Sequence, residues 1–388
     1  MAPFNYFQPT EIRFGCGRLS EIGEIVARYG KRCLLVTVPP FAALEPIFEK
    51  ARSSLANAGV RVAHFDGVVP NPTTGSITAG ADAAKAHKAD VVVGLGGGSS
   101  IDTAKAIAVE ATHDGTCWDY LWFSKTQPTE KTLPVIATTT TSGTGSQVTQ
   151  VAVVTNPAEK CKSAIYNPIV YPHVALVDPE LMLTVPEHIT ASTGFDVLCH
   201  AFETYIHCGA SPYTDMIAVE AIRLVIKHLP TVVKDGSNVE ARTAMAWADT
   251  LAGLCIANAG VTLPHGMGMA IGGMYPHVMH GEALAVTYPE FMRYTYASAV
   301  RQFAIIGRIF NSELESESDK VAAEKSCEEM DKFLKEIGMW LSLDGFKVPE
   351  RDLPELAKAC LVLPDYKNNP RVINLDGVNK MLKQCFKR

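Results

Sequence analysis

Short apolar, β-branched runs alternate with alanine-rich stretches through the first half of the chain. RCLLVTV (32–38), ADVVVGLGGGSS (89–100) and LPVIATTT (133–140) read as strands buried on both faces, because their apolar residues run on without alternating. Between them, PIFEKARSSLANAG (46–59) and SITAGADAAKAHK (76–88) carry apolar positions at helical spacing. RVAHFDGVV is strand-like, and VALVDPELM (174–182) adds a strand and a turn. This β-α-β alternation predicts an α/β layer around a parallel sheet. From about residue 186 the pattern changes. VPEHITASTGFDVLCHAFETYIHC, TDMIAVEAIRLVIKHL and EARTAMAWADTLAGLCIANAG are long, amphipathic and poor in strand signals, and similar stretches run to the C-terminus. The expected organisation is an α/β nucleotide-type domain at 1–185 and an all-α domain at 186–388. The junction at Pro179–Pro186 is short, which suggests a cleft rather than a flexible tether.

Composition narrows the class. A chain of 388 residues, 47% hydrophobic and 20% charged, suits a two-domain globular protein. A net charge of −6 with scattered Lys and Arg argues against nucleic acid and membrane surfaces as partners. The first residues lack the basic and apolar regions of a signal peptide, and no long uninterrupted apolar run suggests a spanning helix. The ten cysteines form no CxxC pair, which favours reduced thiols and a cytoplasmic location.

Three loops follow predicted strands. GLGGGSSID (94–102) opens a helix, and its glycines allow a sharp turn with free N–H groups facing a phosphate. It is neither GxGxxG nor a Walker loop, and a tight turn without a ligand explains the same residues. TTTTSGTGSQVT (138–149) is rich in hydroxyls suited to ribose, pyrophosphate or carboxamide, although polar surface loops share that composition. PNPTTGS (70–76) places Asn71 between prolines. Their convergence on one sheet edge would be more telling than any one loop.

In the second half, STGFDVLCHAFETYIH (192–207) reads as a helix with Asp196 and His200 one turn apart on one face. That pair fits a divalent metal or a plain helix-surface contact. His265 and His280, each followed by glycine, would extend it to one carboxylate and three imidazoles, a set suited to Fe²⁺ or Zn²⁺. A set without cysteine disfavours a closed structural zinc site. An open position on such a metal would polarise an alcohol or carbonyl oxygen. Met267, Met269, Met274 and Met279 suggest an apolar wall for a small aliphatic substrate.

Together, PNP, GGGSxxD, TTxSGTGSxVT, DxxxH, HG and HGEA resemble the iron-containing (group III) alcohol dehydrogenases over nearly the whole chain. The resemblance implies a dehydroquinate-synthase-like fold, with an α/β dinucleotide-binding domain, a helical domain and an active site between them. It makes Asp196, His200, His265 and His280 the metal ligands. It assigns Gly97, Gly98, Ser99 and Asp102 to the pyrophosphate loop, and Asn71, Thr140, Thr141, Thr149 and Lys162 to other nucleotide contacts. The implied activity is reversible hydride transfer between a small alcohol or diol and NAD or NADP. Glycerol or polyol dehydrogenases and metal-dependent lyases or cyclases of the same fold are the alternatives. A non-enzymatic nucleotide-binding protein is a third, less fitting class.

Three positions depart from the family pattern. Met269 stands where many members carry a proton-relaying histidine, which leaves His277, a ribose hydroxyl or water for that task. Val38-Pro39-Pro40 stands where NAD-preferring members place an aspartate, so the choice of NAD or NADP stays open. Gln147 replaces a common glutamate. The N-terminal FNYFQPTEIRF is a candidate for strand pairing across a homodimer.

Overall fold

The computed structural model describes residues 3–388 as two compact units. One is Phe7–Val185; the other is Pro186–Arg388 together with the N-terminal residues up to Tyr6.

The first unit is an α/β layer. Its strands are β1 (Glu11–Phe14), β2 (Arg32–Val36), β3 (Arg61–Phe65), β4 (Val91–Gly96), β5 (Val135–Thr139), β6 (Val151–Asn156), β7 (Cys161–Tyr166) and β8 (Val174–Val177). Six of them form one sheet in the order β1-β8-β5-β4-β2-β3, and every neighbouring pair is parallel. The continuous apolar runs have their expected cause, since β4, β5 and β8 are buried along their whole length. Two apolar layers result. Leu34, Val36, Val92 and Ile107 pack on one face, and Leu35, Val93, Ile136 and Leu176 on the other. The helices α1 (Ile22–Ala27), α2 (Glu45–Asn57), α3 (Thr74–His87) and α4 (Gly98–Glu110) connect the strands.

Strand order reverses at β2. The chain steps outward to β3, then returns past β2 to β4 and continues to β5. Ligands of open α/β sheets bind outside the carboxyl ends of strands at such a switch point. The three loops singled out in the sequence follow β3, β4 and β5, so they leave the sheet at that same end.

The β6–β7 hairpin is an addition to the sequence expectations, and β1, in the segment expected to pair across a homodimer, pairs with β8 of its own chain. β1 is a short strand of four half-buried residues, too brief to show a period. The antiparallel hairpin of β6 and β7 stands apart from the main sheet; β6 carries a short apolar run at 151–154, and both strands are only partly buried.

The second unit is helical. It runs through α5 (Glu187–Ile206), α6 (Pro212–Lys234), α7 (Val239–Asn258), α8 (Leu263–Met274) and α9 (His280–Thr295), followed by helices at Val300–Phe310, Asp319–Glu336, Leu353–Ala359 and Leu375–Gln384. α5 is buried at nearly every position from Thr190 onward, so it is the core helix of this unit. Among the described residues, no single helix is long and apolar enough to cross a membrane. All ten cysteines are free thiols.

Candidate metal centre and nucleotide loops

α5 carries Asp196, His200 and, three residues on, Glu203, all on one buried face. The Asp196 carboxylate lies at the centre of a ring of imidazoles. Its Oδ1 is 3.7 Å from His200 Nε2, 3.5 Å from His265 Nε2 and 3.8 Å from His280 Nε2. These separations are too long for hydrogen bonds. They match the spacing between neighbouring ligands of one ion, about 3.4 Å for ligands roughly 2.1 Å from a tetrahedral metal. Asp196 Oδ1 and His265 Nε2 are both buried without a hydrogen-bond partner, a costly arrangement unless something binds there. The donor atoms of Asp196, His265 and His280 all fall within 4.8 Å of one another, and His200 joins them by stacking on His265 at 4.6 Å between ring centres. One carboxylate oxygen and three imidazole nitrogens therefore fit a divalent transition metal. His280, with 23% of its side chain exposed against 4–7% for the other three, marks the open side.

Each late histidine is placed by a helix start. Glu203 is wholly buried and uses both oxygens: Oε2 accepts the Thr262 N–H at 2.8 Å and its hydroxyl at 3.2 Å, while Oε1 lies 2.7 Å from His265 Nδ1. Thr262 is the residue that caps α8, so one carboxylate anchors the helix start and orients His265 upon it. With its Nδ1–H given to Glu203, His265 turns Nε2 toward Asp196. At α9, Glu282 reaches back to accept the Met279 N–H at 2.8 Å, which sets His280 as the first helical residue.

The glycines after the histidines differ. A Cβ on Gly281 would lie 1.9 Å from the Ser192 carbonyl oxygen of α5, so this glycine is what lets α9 reach the Asp196 helix. A Cβ on Gly266 would meet nothing closer than 3.6 Å. Gly268, by contrast, lies under the His280 ring, where a Cβ would come within 3.3 Å. Room beside the ring is thus supplied by Gly268, and Gly281 serves the helix contact.

Charge at this centre is finely opposed. Burial alone would lower the His265 pKa, but the Glu203 and Asp196 carboxylates outweigh it and push it up to about 10. Burial likewise works to raise Asp196, and the facing His200, His280 and His265 hold it well below the usual carboxylate range.

The structure does not bring His277 to this group. It is exposed, and its Nε2 lies 3.0 Å from the Phe346 carbonyl oxygen. Met269 is half-buried, one helical turn beyond His265. Met267 is fully buried core and forms no wall, whereas Met269, Met274 and Met279 keep partial exposure.

In the α/β unit, no side chain caps the start of α4 at Gly97, which leaves backbone N–H groups available to an anion. Gly97, Ser99 and Thr141 are partly exposed there. Asn71 adopts φ 54°, a left-handed conformation uncommon for a side-chain-bearing residue, and its Oδ1 accepts from Lys162 Nζ at 2.9 Å. Asp102, Thr140 and Thr149 are buried. Asp102 gives Oδ1 to the Ser146 hydroxyl at 2.5 Å and Oδ2 to the Val153 N–H at 3.0 Å. Thr140 donates its N–H to the Gly96 carbonyl at 3.0 Å, and Thr149 is 2% exposed. Asp102 therefore shapes the loop from within.

The chain thus combines a doubly wound α/β unit with a helical unit whose carboxylate–imidazole group fits a divalent metal. The family model described as iron-containing alcohol dehydrogenase matches residues 9–179, and that of the Fe-containing alcohol dehydrogenase family, C-terminal, matches 190–386. The chain belongs to the iron-containing alcohol dehydrogenase family. It is 33% identical to the NAD-dependent methanol dehydrogenase of Bacillus methanolicus, over 98% of this chain and 100% of that one. It is 36% identical to the 1,3-propanediol dehydrogenase of Klebsiella pneumoniae, over 99% of each. An archaeal halo-thermophilic alcohol dehydrogenase from a Red Sea brine pool superposes with a TM-score of 0.95 at 34% identity, covering 100% of both chains.

Glu203, Thr262, Glu282 and Gly268 escaped the sequence reading. Glu203 had a usable signal, since it falls three residues after His200 and seven after Asp196, the spacing of one helix face.

Glu203→Gln is expected to weaken metal affinity by about 10–100-fold, measured by competition with a chromogenic chelator. Gly281→Ala is expected to cost about 1–3 kcal/mol in stability and to lower metal content, while Gly266→Ala leaves both unchanged; thermal unfolding and metal analysis check this. Because the His265 pKa is raised, its contribution to metal-free stability is complete below its ordinary pKa of about 6.5. That contribution is lost as pH rises through about 10. The Tm of metal-free protein should therefore fall across that window more steeply than that of His265→Gln.

Proposed function

We propose that this chain oxidises small aliphatic alcohols or diols, and reduces the matching aldehydes, with NAD or NADP and with Fe²⁺, or Zn²⁺ in its place, held by Asp196, His200, His265 and His280. The observation that carries the reading is the convergence of three imidazole nitrogens on Asp196 Oδ1 at 3.5–3.8 Å. In this reading residues 1–185 bind the nucleotide and 186–388 bind metal and substrate. A divalent metal there supplies a Lewis acid toward an alcohol or carbonyl oxygen.

The chain's own residues do the rest. Glu203 holds His265 in one orientation, so the ligand set needs little reorganisation on loading. Met269, one turn after His265, and Met279, next to His280 in the chain, keep partial exposure, and apolar thioethers there would favour aliphatic carbon over charged groups. In the α/β unit, Gly97, Gly98 and Ser99 offer the start of α4 to a pyrophosphate, with Thr141, Asn71 and Lys162 as partners for the remainder of the nucleotide. Thr140, Thr149 and Asp102 support those loops from inside. The turn after β2 carries Val38-Pro39-Pro40, with neither a carboxylate to repel a 2′-phosphate nor an arginine to bind one, so both cofactors are expected to serve.

His277 is turned to the Phe346 carbonyl, and Met269 cannot titrate, so proton exchange is assigned to water and a cofactor hydroxyl. β1 occupies an edge of the six-stranded sheet, preceded by the exposed Phe7, and the proposed assembly is a homodimer that covers this edge. The free thiols agree with a cytoplasmic setting.

Metal-loaded enzyme supplied with C2–C5 alcohols or 1,3-diols and NAD or NADP is expected to generate absorbance at 340 nm, with kcat/KM for the two cofactors within about tenfold. Asp196→Ala should lose activity while still binding NADH. No net reduced cofactor with any alcohol would sink the reading and favour a lyase. His277→Ala should keep its kcat, whereas a relay role would cost about 10²–10⁴-fold.

A further inference from the structure

Lys105 is a fully buried lysine on the helix that follows the glycine loop, with no exposure to water and no part in the chemistry above. A buried ammonium is costly unless its donors are all taken. Its Nζ donates to the backbone carbonyls of Ser146 at 2.6 Å, Thr149 at 2.9 Å and Val151 at 2.7 Å, and lies 2.9 Å from the Ser146 hydroxyl. Ser146 and Thr149 lie in the stretch between β5 and β6, which has no strand ladder to satisfy their carbonyls, and Val151 is the first residue of β6. Three inward carbonyls need three donors from one point, and an ammonium supplies that number.

The contact extends along the helix. Asp102, one turn before Lys105, accepts the Ser146 hydroxyl on Oδ1 and the Val153 N–H on Oδ2. Nearer the helix start the glycines make the same approach by sterics. A Cβ on Gly98 would lie 2.5 Å from the Thr144 side chain, and one on Gly97 would lie 3.1 Å from Thr141 Oγ1. Four rungs therefore run in step: Gly97 with Thr141, Gly98 with Thr144, Asp102 with Ser146, and Lys105 with Ser146 and Thr149. The glycines admit the neighbouring loop, and the two charged residues fasten it.

We propose that Lys105 is a positioning residue for cofactor binding: its ammonium fastens the 140–151 loop to α4, so that the hydroxyls of that loop and the amides at the helix start face one nucleotide as a single rigid surface. The inference rests on the nucleotide-binding reading of the α/β unit. Lys105 touches no cofactor; it acts through Thr141 and the backbone of the loop. An apolar side chain of the same length would take the donor from the Thr149 and Val151 carbonyls and leave the Ser146 carbonyl only the long Thr149 N–H contact at 3.5 Å, and the loop would have to turn toward water.

The test is NADH binding to full-length, metal-loaded protein, followed by fluorescence, for Lys105→Met and for Ser146→Ala, which removes the hydroxyl shared by Asp102 and Lys105. Lys105→Met is expected to raise the NADH Kd by about tenfold or more, and Ser146→Ala by a smaller factor. The KM for alcohol at saturating cofactor and the Co²⁺ visible spectrum at the Asp196 group should stay as in the parent protein. A lowered Tm with an unchanged NADH Kd would mean a purely structural lysine and overturn the proposal. If Lys105→Met does not fold, an unchanged Kd in Ser146→Ala overturns it equally. Parent protein that binds no NADH would instead remove the nucleotide reading on which the proposal stands.

Discussion

Glu203, a carboxylate wholly shut off from water, takes hydrogen bonds from the Thr262 N–H, the Thr262 hydroxyl and the His265 ring. Removing one partner of such a buried charge typically costs about 3–5 kcal/mol, because the other is left desolvated and unpaired. The consequence is positional: the start of α8 cannot drift from α5 without exposing that carboxylate to an apolar interior. His265, three residues into α8, is held with one nitrogen committed and the other facing Asp196. The candidate metal centre is thus ordered by a second carboxylate, Glu203, beside the Asp196 group.

Backbone contact completes the arrangement. Where Glu203 binds α8 to α5 by charge, Gly281 brings α9 to α5 by having no side chain, its Cα against the Ser192 carbonyl. His280 follows from that approach and from the Glu282 cap. Three helices contribute the four candidate ligand atoms, and each is aligned by a different device: a helix period, a buried ion pair and a steric absence. This also explains why Asp196 is held ionised despite burial, since three imidazoles surround it.

The α/β unit solves a parallel problem with similar means. A parallel sheet places the loops after β3, β4 and β5 at one end, but it does not order the long segment between β5 and β6. Lys105 and Asp102, both buried, do so from the adjoining helix. Each unit uses a buried carboxylate, Glu203 or Asp102, to order a candidate ligand surface. In each, the residue that organises the site lies one layer behind the residues that would touch substrate or cofactor.

Local periodicity was enough to read β2, β4, β5, α2 and α3, because burial on both faces of a parallel strand and one face of a helix leaves a repeat within a few residues. The same rule exposed Asp196 and His200 as a pair, and family motifs supplied His265 and His280. The β6–β7 hairpin was not legible, and for β1 only the pairing tendency was, since four half-buried residues do not name the strand beside which they lie. Asp102 and Thr149 sit in motifs that imply ligand contact, yet their side chains turn inward, since motif spacing records which residues belong together and not which way they face. His277 stands only three residues before His280 but lies on the turn that precedes α9, pointing to Phe346. Glu203's spacing was present in the sequence, but its partners Thr262 and His265 lie about sixty residues away, and only folding brings them to it. Composition and period determined the layers and the candidate ligands of this protein. The tertiary structure decided which of those polar groups face a ligand and which are satisfied inside, because that depends on donors and acceptors contributed by distant segments of chain.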